Sequence, residues 1–326
     1  MAVGSGALYT NSNGSSNVAI GRMALRMNND RSNIVAVGDS ALFNNSIGAV
    51  YDPVDGIVEG FSNTAVGSKA LYANTRGTGN TALGFRALYN VVNGDRCTGI
   101  GEFALGNTTG DGNTGVGAGS LSTNTSGTNN TAVGYQAGPN AATRTNTTAL
   151  GYQASATSSD QVRLGNSAVT TIVGAVAFTS TSDARYKRNI EENVHGLDFI
   201  MKLRPVTYNF DVHKMAAFLN EDMGMDAQGN RVYRAPTPEM VAAREQKEAI
   251  RYTGLLAQEV EAAAKRVGYD FSAVTVPEDE DGMYGLAYSE FVVPLVKAVQ
   301  EQQAQIEQQQ QLIEQLRKEV EALKQR

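Results

Sequence analysis

The chain has 326 residues, a formal net charge of −6, one cysteine and two histidines, His195 and His213. This length is enough for two domains with cores of their own, whereas the single cysteine excludes an internal disulfide framework and any cysteine-rich zinc site. The net negative charge argues against a broad nucleic-acid-binding surface, and no apolar run approaches the ~20 residues that a membrane helix needs. We also expect no signal peptide at the start of the sequence, no metal and no cofactor.

The composition divides the chain into two halves. Residues 1–165 hold 26 of the 34 glycines and equal numbers of acidic and basic residues, so that residues 166–326 carry all of the net charge. A half rich in Gly, Asn, Thr and Ser therefore precedes a charged half with strong helix formers. This change predicts two architectures with a boundary between residues 165 and 181.

A short motif repeats along the first half and reads N-T-A-V-G-x-x-A-L, as in Asn63–Leu71. The repeated glycines are Gly4, Gly21, Gly38, Gly67, Gly84, Gly101, Gly117, Gly134 and Gly151. Their spacing is 17 residues, except for one step of 16 and one of 29 that contains an insertion around Asn44–Ser62. Nine copies at one period predict a stacked architecture, and short apolar stretches flanked by glycine favour brief strands. We predict a β-solenoid or β-roll over 1–165, with small Ala, Val and Leu side chains facing inward.

Such small side chains make a thin core, since apolar burial stabilises by only about 25 cal/mol per Å². Packing several chains together would offset this weakness. The repeats resemble the β-roll heads of trimeric adhesins and of phage tail fibres, and the resemblance implies a trimeric solenoid. Glycine pairs such as Gly99 and Gly101 belong to the repeat rather than to a phosphate-binding loop, and Cys97 is expected to be a buried thiol.

Four motifs follow one another in the second half. They are T-S-D-A-R-Y-K-R-N-I at 181–190, L-R-P-V-T-Y at 203–208, G-L-L-A-Q-E-V at 254–260 and Y-S-E-F-V-V-P-L-V-K-A at 288–298. In this order they resemble the C-terminal intramolecular chaperone domain of phage tail spikes and endosialidases, which is a self-cleaving serine peptidase. The resemblance covers about 182–326, and we predict a linker with the cleavage site at 166–181 and the chaperone domain at 182–290.

The resemblance implies that Ser182 is the nucleophile, that Lys187 is the general base and that the bond Thr181–Ser182 is cut. A serine hydroxyl needs a base, and a lysine acts as one only when its amine is neutral, which burial or the neighbouring Arg185 and Arg188 would favour. A spacing of five aligns side chains on neither a strand nor a helix, so the pair must meet through a turn or at a subunit contact. The alternative is that Ser-Asp caps a helix and Lys187 is an ordinary surface residue, in a variant that does not cleave.

The rest of the chaperone domain is predicted to be a small α+β fold. Its predicted elements are a helix at His195–Arg204, a strand at Val206–Phe210, a turn at Asp226–Asn230, a helix at Pro238–Arg251 capped by Thr237, and a helix at Ala257–Val267. The acidic run Glu278–Asp281 is interpreted as a solvated loop rather than a cation site.

Heptads run from Val292 to the end of the sequence and predict a coiled coil over 291–326. Position a holds Val292, Val299, Ile306, Ile313 and Val320, and position d holds Leu295, Gln302, Gln309, Leu316 and Leu323. β-Branched residues at a with Leu at d favour a dimer by the simple rule. The resemblance implies a trimer, and two glutamines in the core weaken the dimer preference, so we predict a homotrimer.

The sequence therefore predicts a homotrimeric phage tail fibre or spike, assembled in the host cytoplasm and located in the virion. Its C-terminal domain would bring three chains into register and then release itself in a single turnover, with no other enzymatic activity. The repeats would form the shaft or the part that binds a host receptor or glycan. A bacterial adhesin-like surface protein is the main alternative. A glycan-degrading spike would need paired carboxylates in a groove, and the repeats carry only sparse acidic residues.

Overall fold

The computed structural model describes residues 1–52 and 57–325. The strands are β1 Ala2–Val3, β2 Val18–Ile20, β3 Val35–Val37, β4 Tyr51–Asp52, β5 Ile57–Val58, β6 Thr64–Val66, β7 Thr81–Leu83, β8 Thr98–Ile100, β9 Thr114–Val116, β10 Thr131–Val133, β11 Gly138–Pro139, β12 Thr148–Leu150, β13 Ser155–Ala156, β14 Val162–Leu164, β15 Val206–Tyr208, β16 Met223–Met225, β17 Arg231–Tyr233, β18 Tyr252–Gly254, β19 Val274–Thr275 and β20 Gly285–Leu286. The α-helices are α1 Leu197–Ile200, α2 Val212–Phe218, α3 Pro238–Glu248, α4 Ala257–Arg266 and α5 Val292–Lys324. Within the described part of the chain, none of the helices combines the length and apolar character needed to cross a membrane.

The chain forms two compact units. The first contains Met1–Thr171 and Phe210–Ala249, and the second contains Ile172–Asn209 and Ile250–Arg326. Residues from the middle of the predicted chaperone domain are thus grouped with the repeats, a grouping that the sequence did not indicate.

The repeats form a β-solenoid, as predicted. Its main sheet is parallel and has ten strands in the order β1-β2-β3-β6-β7-β8-β9-β10-β12-β14, which corresponds to about nine turns. Equivalent residues of successive coils pair directly, as Thr64 does with Thr81 and Thr81 with Thr98. The last strand, β14, pairs with β12 after a shorter step, Thr148 with Val162. The glycine pattern stopped at Gly151 and missed this coil, although Gly165 follows β14 directly.

Only the middle residue of each three-residue strand faces the interior of the solenoid. Ala65 and Ala82 are fully buried in this way, and leucines four residues after the repeated glycine, such as Leu71 and Leu88, are part of the same core. The apolar third residue of the strand faces outward instead, and Leu83 is 48% exposed. The prediction that small Ala, Val and Leu side chains face inward is therefore confirmed for the core alanines and leucines, and it is wrong for the third residue of the strands, because a strand alternates its faces.

The repeated glycine sets the distance between coils. Its φ lies between +114° and +138° in all nine copies, in the region that disfavours side chains. From Gly4 to Gly134, a Cβ at this position would lie 2.3–2.7 Å from the backbone carbonyl of the equivalent glycine in the next coil. The strict repeat therefore records a close approach between backbones rather than a ligand-binding loop.

Buried asparagines form a polar ladder beside the apolar core. The residues directly before five strands are Asn17, Asn63, Asn80, Asn113 and Asn130. Each donates from Nδ2 to a backbone carbonyl 14 residues ahead over 2.7–2.8 Å. Each Oδ1 accepts the backbone N–H of the equivalent residue in the next coil, as Asn80 Oδ1 does from Cys97 N at 2.8 Å. The ladder satisfies backbone groups that short strands leave unpaired.

The segment Phe210–Ala249 of the first unit contains α2, the antiparallel hairpin β16–β17 and α3. The predicted turn at Asp226–Asn230 joins the two strands, and the Asp226 carboxylate accepts the backbone N–H groups of Gln228 and Asn230. Thr237 caps α3 as predicted, and its Oγ1 accepts the N–H of Met240 at 3.3 Å. The helix ends at Glu248 instead of Arg251.

The second unit has an aromatic core. Phe199 of α1, Phe271 and Phe291 pack edge to face around Val260 of α4. The helix predicted over His195–Arg204 is only the four-residue α1, and the chain continues in turns in which the N–H groups of Lys202 and Leu203 bond carbonyls three residues back. The strand β15 pairs with β18 and ends at Tyr208 rather than Phe210. The helix α4 ends one residue before the predicted Val267.

The predicted C-terminal helix is confirmed as α5, which has 33 residues. Its first turns pack into the unit, where Pro294 and Ala298 are buried and the Glu301 carboxylate accepts the N–H of Leu197 at 2.8 Å. The rest of the helix is exposed in the single chain.

Candidate active site

The predicted cleavage site lies in an exposed stretch of chain without regular secondary structure. Residues 169–182 are all exposed, and residues 169–183 form neither a helix nor a strand. The predicted scissile bond Thr181–Ser182 is part of this stretch. A peptide bond can be attacked only where its carbonyl is accessible, and this segment meets that condition.

A single turn of 3-10 helix at Ala184–Tyr186 follows directly. Asp183 is its N-cap, and the carboxylate accepts the backbone N–H of Arg185 at 2.9 Å. The N–H of Lys187 closes the turn on the carbonyl of Ala184 at 3.1 Å. The turn therefore reverses the chain between residues 182 and 187.

This reversal brings the two predicted site residues together. Lys187 Nζ lies 2.8 Å from Ser182 Oγ, within one chain, and both residues are exposed. The capping residue is Asp183, so the Ser182 hydroxyl bonds to the lysine rather than to the backbone of the turn. A neutral amine in this position can accept the hydroxyl proton, whereas a charged ammonium can only donate to the oxygen.

The neighbouring charges pair with each other. The Arg185 guanidinium binds the Asp183 carboxylate, with Nη2 2.6 Å from Oδ2. This side-chain hydrogen bond, reinforced by the backbone N–H of Arg185, lowers the pKa of Asp183 and raises that of Arg185. Arg185 was predicted as a cation that could favour a neutral Lys187; in the structure its charge is matched by Asp183, and Arg188 is exposed.

The single thiol, Cys97, is not part of the predicted cleavage site. Cys97 is buried in the solenoid, as predicted, and its Sγ lies 3.3 Å from the carbonyl oxygen of Gly110. Burial raises the pKa of this thiol to about 11, so the thiolate that a nucleophile needs is disfavoured.

A buried polar cluster in the first unit was not predicted from the sequence. Glu221 and Arg244 have side chains that are 1% and 2% exposed, and Arg244 also binds Asp222. The Glu221 carboxylate accepts the backbone N–H and the hydroxyl of Ser167, both at 2.6 Å. These residues stand in charged stretches without a motif, so their burial depends on tertiary packing and left no signal in the sequence.

Residues 182–269 match the family model described as "Chaperone of endosialidase", and the match begins at Ser182. Comparisons with the curated proteins and with the solved structures each gave no match. The predicted resemblance is thus confirmed for the C-terminal part, which follows a β-solenoid of about nine turns. The matched domain supports an intramolecular chaperone role, implies a self-cleaving peptidase kind of activity and suggests a phage-associated protein.

Proposed function

We propose that this protein is a homotrimeric phage tail fibre or spike whose C-terminal domain aligns three chains and then cuts the bond Thr181–Ser182. The contact between Lys187 Nζ and Ser182 Oγ, at the first residue of the family match, carries the proposal of cleavage. The repeats form the shaft or the part that contacts a host receptor or glycan, and the assembled protein belongs to the virion.

The cut uses the residues of one turn. The Lys187 amine takes the proton of Ser182 Oγ, and the oxygen adds to the carbonyl carbon of Thr181. The bond from this carbon to the Ser182 nitrogen breaks as the nitrogen takes the proton from the lysine. Water then hydrolyses the ester, which leaves a carboxylate on Thr181 and a new N-terminus on Ser182. Each chain can react only once, since the bond and its nucleophile are part of the same chain.

Assembly is proposed to switch this chemistry on. Water favours the charged form of a lysine, and Lys187 is exposed in the single chain. Covering the turn by the other chains of a trimer removes water and favours the neutral amine that accepts a proton. Cleavage then reports that three chains have come together.

The exposed stripe of α5 supports the trimer. Every apolar a and d residue between Val299 and Leu323 is exposed in the single chain, with values from 39% at Ile306 to 69% at Leu323. Most of the stability of an amphipathic helix in a protein comes from packing its apolar stripe against a partner surface. Two more copies of the same helix supply the matching surface.

The solenoid offers a second apolar surface for the same assembly. The outward third residue of the strands forms a column on one sheet face, and three of its members, Leu83, Val133 and Leu150, are 38–48% exposed. Burial of this column between chains compensates for the small residues of the interior. The trimer is therefore proposed to continue along the repeats.

The intact mass of purified protein tests the cleavage. Wild-type protein is expected to give two fragments, of which the C-terminal one begins at Ser182. Ser182→Ala and Lys187→Ala are expected to give the full-length mass. Lys202→Ala is the matched control, because this exposed lysine bonds the carbonyl of Asp198 and is expected to leave cleavage unchanged. Full-length mass for wild type under native folding conditions would exclude the peptidase activity.

A further inference from the structure

One segment of the C-terminal part packs on the repeats although it follows the proposed cut in sequence. Phe210–Ala249 shares a compact unit with Met1–Thr171. Resting on the proposed cleavage, we propose that the cut fragment 182–326 stays docked on the solenoid through this segment. Cutting and release are then two separate steps, and the partner of this docking surface is the chain's own fragment.

The centre of the contact is the buried Glu221. Its carboxylate holds the backbone N–H and the hydroxyl of Ser167, which follows the last strand of the solenoid. Its backbone carbonyl accepts a hydrogen bond from the side chain of Gln153. Arg244 lies 3.6 Å from the carboxylate and holds Asp222 at 2.8 Å, so the negative charge of Glu221 is compensated within the segment. Losing only some of the partners of a buried carboxylate would leave its charge uncompensated, which is strongly unfavourable. These contacts therefore favour the docked state.

Lys247 reaches the chain on the other side of the proposed cut. Its Nζ donates to the carbonyls of Ser167 and Val169, at 2.6 and 2.7 Å. Burial, together with the nearby charge of Arg163, lowers the pKa of this lysine. The contact therefore holds the end of the solenoid directly before the exposed segment that contains the cut, and hydrolysis of Thr181–Ser182 breaks none of these bonds.

The contact extends over several coils. The Arg86 guanidinium donates to the carbonyl of Gln228 at 2.9 Å, and the ring of Phe103 lies against Gly229, where a Cβ would come within 2.6 Å of the ring. Tyr152 contacts Met240 of α3, 3.6 Å from hydroxyl to sulfur. A contact that includes apolar, charged and backbone groups persists when the covalent link is lost, and the fragment dissociates on its own, slower timescale.

Size-exclusion chromatography at 0.15 M salt tests this inference on cut protein. The two fragments of wild type are expected to elute together in equal amounts directly after the cut. Glu221→Ala and Lys247→Ala are expected to be cut at the wild-type rate and to lose the fragment at least tenfold faster. The matched controls Glu245→Ala and Lys214→Ala change exposed residues of the same charge in the same segment and are expected to retain it. Fragments of wild type that elute separately as soon as they form would overturn the inference.

A second variant distinguishes a failure of docking from a failure of the proposed cleavage. Ser182→Ala with a site for an added protease placed between residues 172 and 181 is cut without the proposed dyad. If this externally cut chain retains its fragment, and the same chain with Glu221→Ala does not, docking is supported even if the wild type never cuts itself. Immediate separation of this externally cut chain contradicts docking whatever the dyad does.

Discussion

At the scale of single residues, one glycine per coil determines whether the coils can stack. Gly84 has a φ of +135°, and a Cβ there would lie 2.7 Å from the carbonyl oxygen of Gly101. We predict that Gly84→Ala lowers the melting temperature sharply or prevents the solenoid from forming, since two rigid backbones would have to separate. The measurement is thermal unfolding followed by circular dichroism.

Gly48 provides the control for this prediction. Its φ is +67°, but a Cβ there meets nothing within 4 Å. Gly48→Ala is expected to cost about 1 kcal/mol, the penalty of a left-handed backbone without a clash. Equal effects of the two substitutions would show that φ alone, and not the approach of neighbouring coils, explains the repeated glycine.

The buried thiol predicts a pH dependence of stability. Burial raises the pKa of Cys97 from 9.0 to about 11, so the folded protein favours the protonated thiol more than the unfolded chain does. This contribution is fully present below pH 9.0 and is lost as the pH rises through about 11. Wild type is expected to lose more stability across this window than Cys97→Ala, as measured by urea unfolding. If the free energy of unfolding depends on pH in the same way in both proteins, the raised pKa of Cys97 is contradicted.

The resemblance of the ordered motifs predicted Ser182 and Lys187 as a catalytic pair, but it did not predict the geometry of the two side chains. Only the structure showed that Asp183 caps the turn and that the Ser182 hydroxyl contacts the lysine. The asparagine ladder was missed for a related reason. Asparagine is a polar residue in turn-like surroundings, and its burial follows from the stacking of coils rather than from a local preference.

At the scale of elements, strict periodicity and local caps were predictive. The 17-residue period predicted the strands of the solenoid, and Thr237 with Pro238 predicted the start of α3. The short helix α1 was overestimated because its predicted apolar pattern ran up to Pro205. The coil that contains β14 was missed because its strand follows the preceding one at a shorter spacing than the 17-residue period of the pattern.

The helix α5 gives the prediction that joins assembly to cleavage. Ile306→Asp together with Ile313→Asp places carboxylates at two a positions, where their desolvation in a coiled coil is costly. We predict that this protein forms no trimers and cleaves slowly or not at all, although neither change touches Ser182 or Lys187. Sedimentation gives the mass of the assembly, and gel analysis gives the rate of processing.

The matched control adds the same charges outside the a and d positions. Gln308→Asp with Gln311→Asp is expected to leave both the trimer and the cleavage rate close to wild type. A monomer of the Ile306 and Ile313 variant that cuts itself at the wild-type rate would mean that the turn around Ser182 is active in a single chain and that assembly does not control it.

At the scale of the whole molecule, each half of the chain is proposed to depend on the other. Each coil pairs only with its neighbours and has a core of small side chains, and the outward apolar column leaves a single chain exposed to aggregation. The C-terminal domain with α5 would align three chains before the coils form. In this proposal the trimer could not be rebuilt by the same route after the domain had been cut and had left, so its stability would be kinetic.

The grouping of Phe210–Ala249 with the repeats shows where sequence analysis reached its limit at this scale. The four motifs of the chaperone domain leave residues 209–253 without a motif, and nothing in Glu221 or Arg244 indicated a partner in another part of the chain. Such long-range contacts between charged residues have no period and no fixed spacing, so they can be found only in the folded molecule.

The most direct test of the chaperone role compares the full chain with a chain that ends at Thr181, each expressed alone and analysed by sedimentation and protease resistance. The full chain, whether or not it is cut afterwards, is expected to give protease-resistant trimers of the solenoid. The short chain is expected to aggregate or to remain sensitive to protease, because its coils form without three aligned ends. Monodisperse, protease-resistant trimers from the short chain would contradict the account, since the C-terminal domain would then be dispensable for folding.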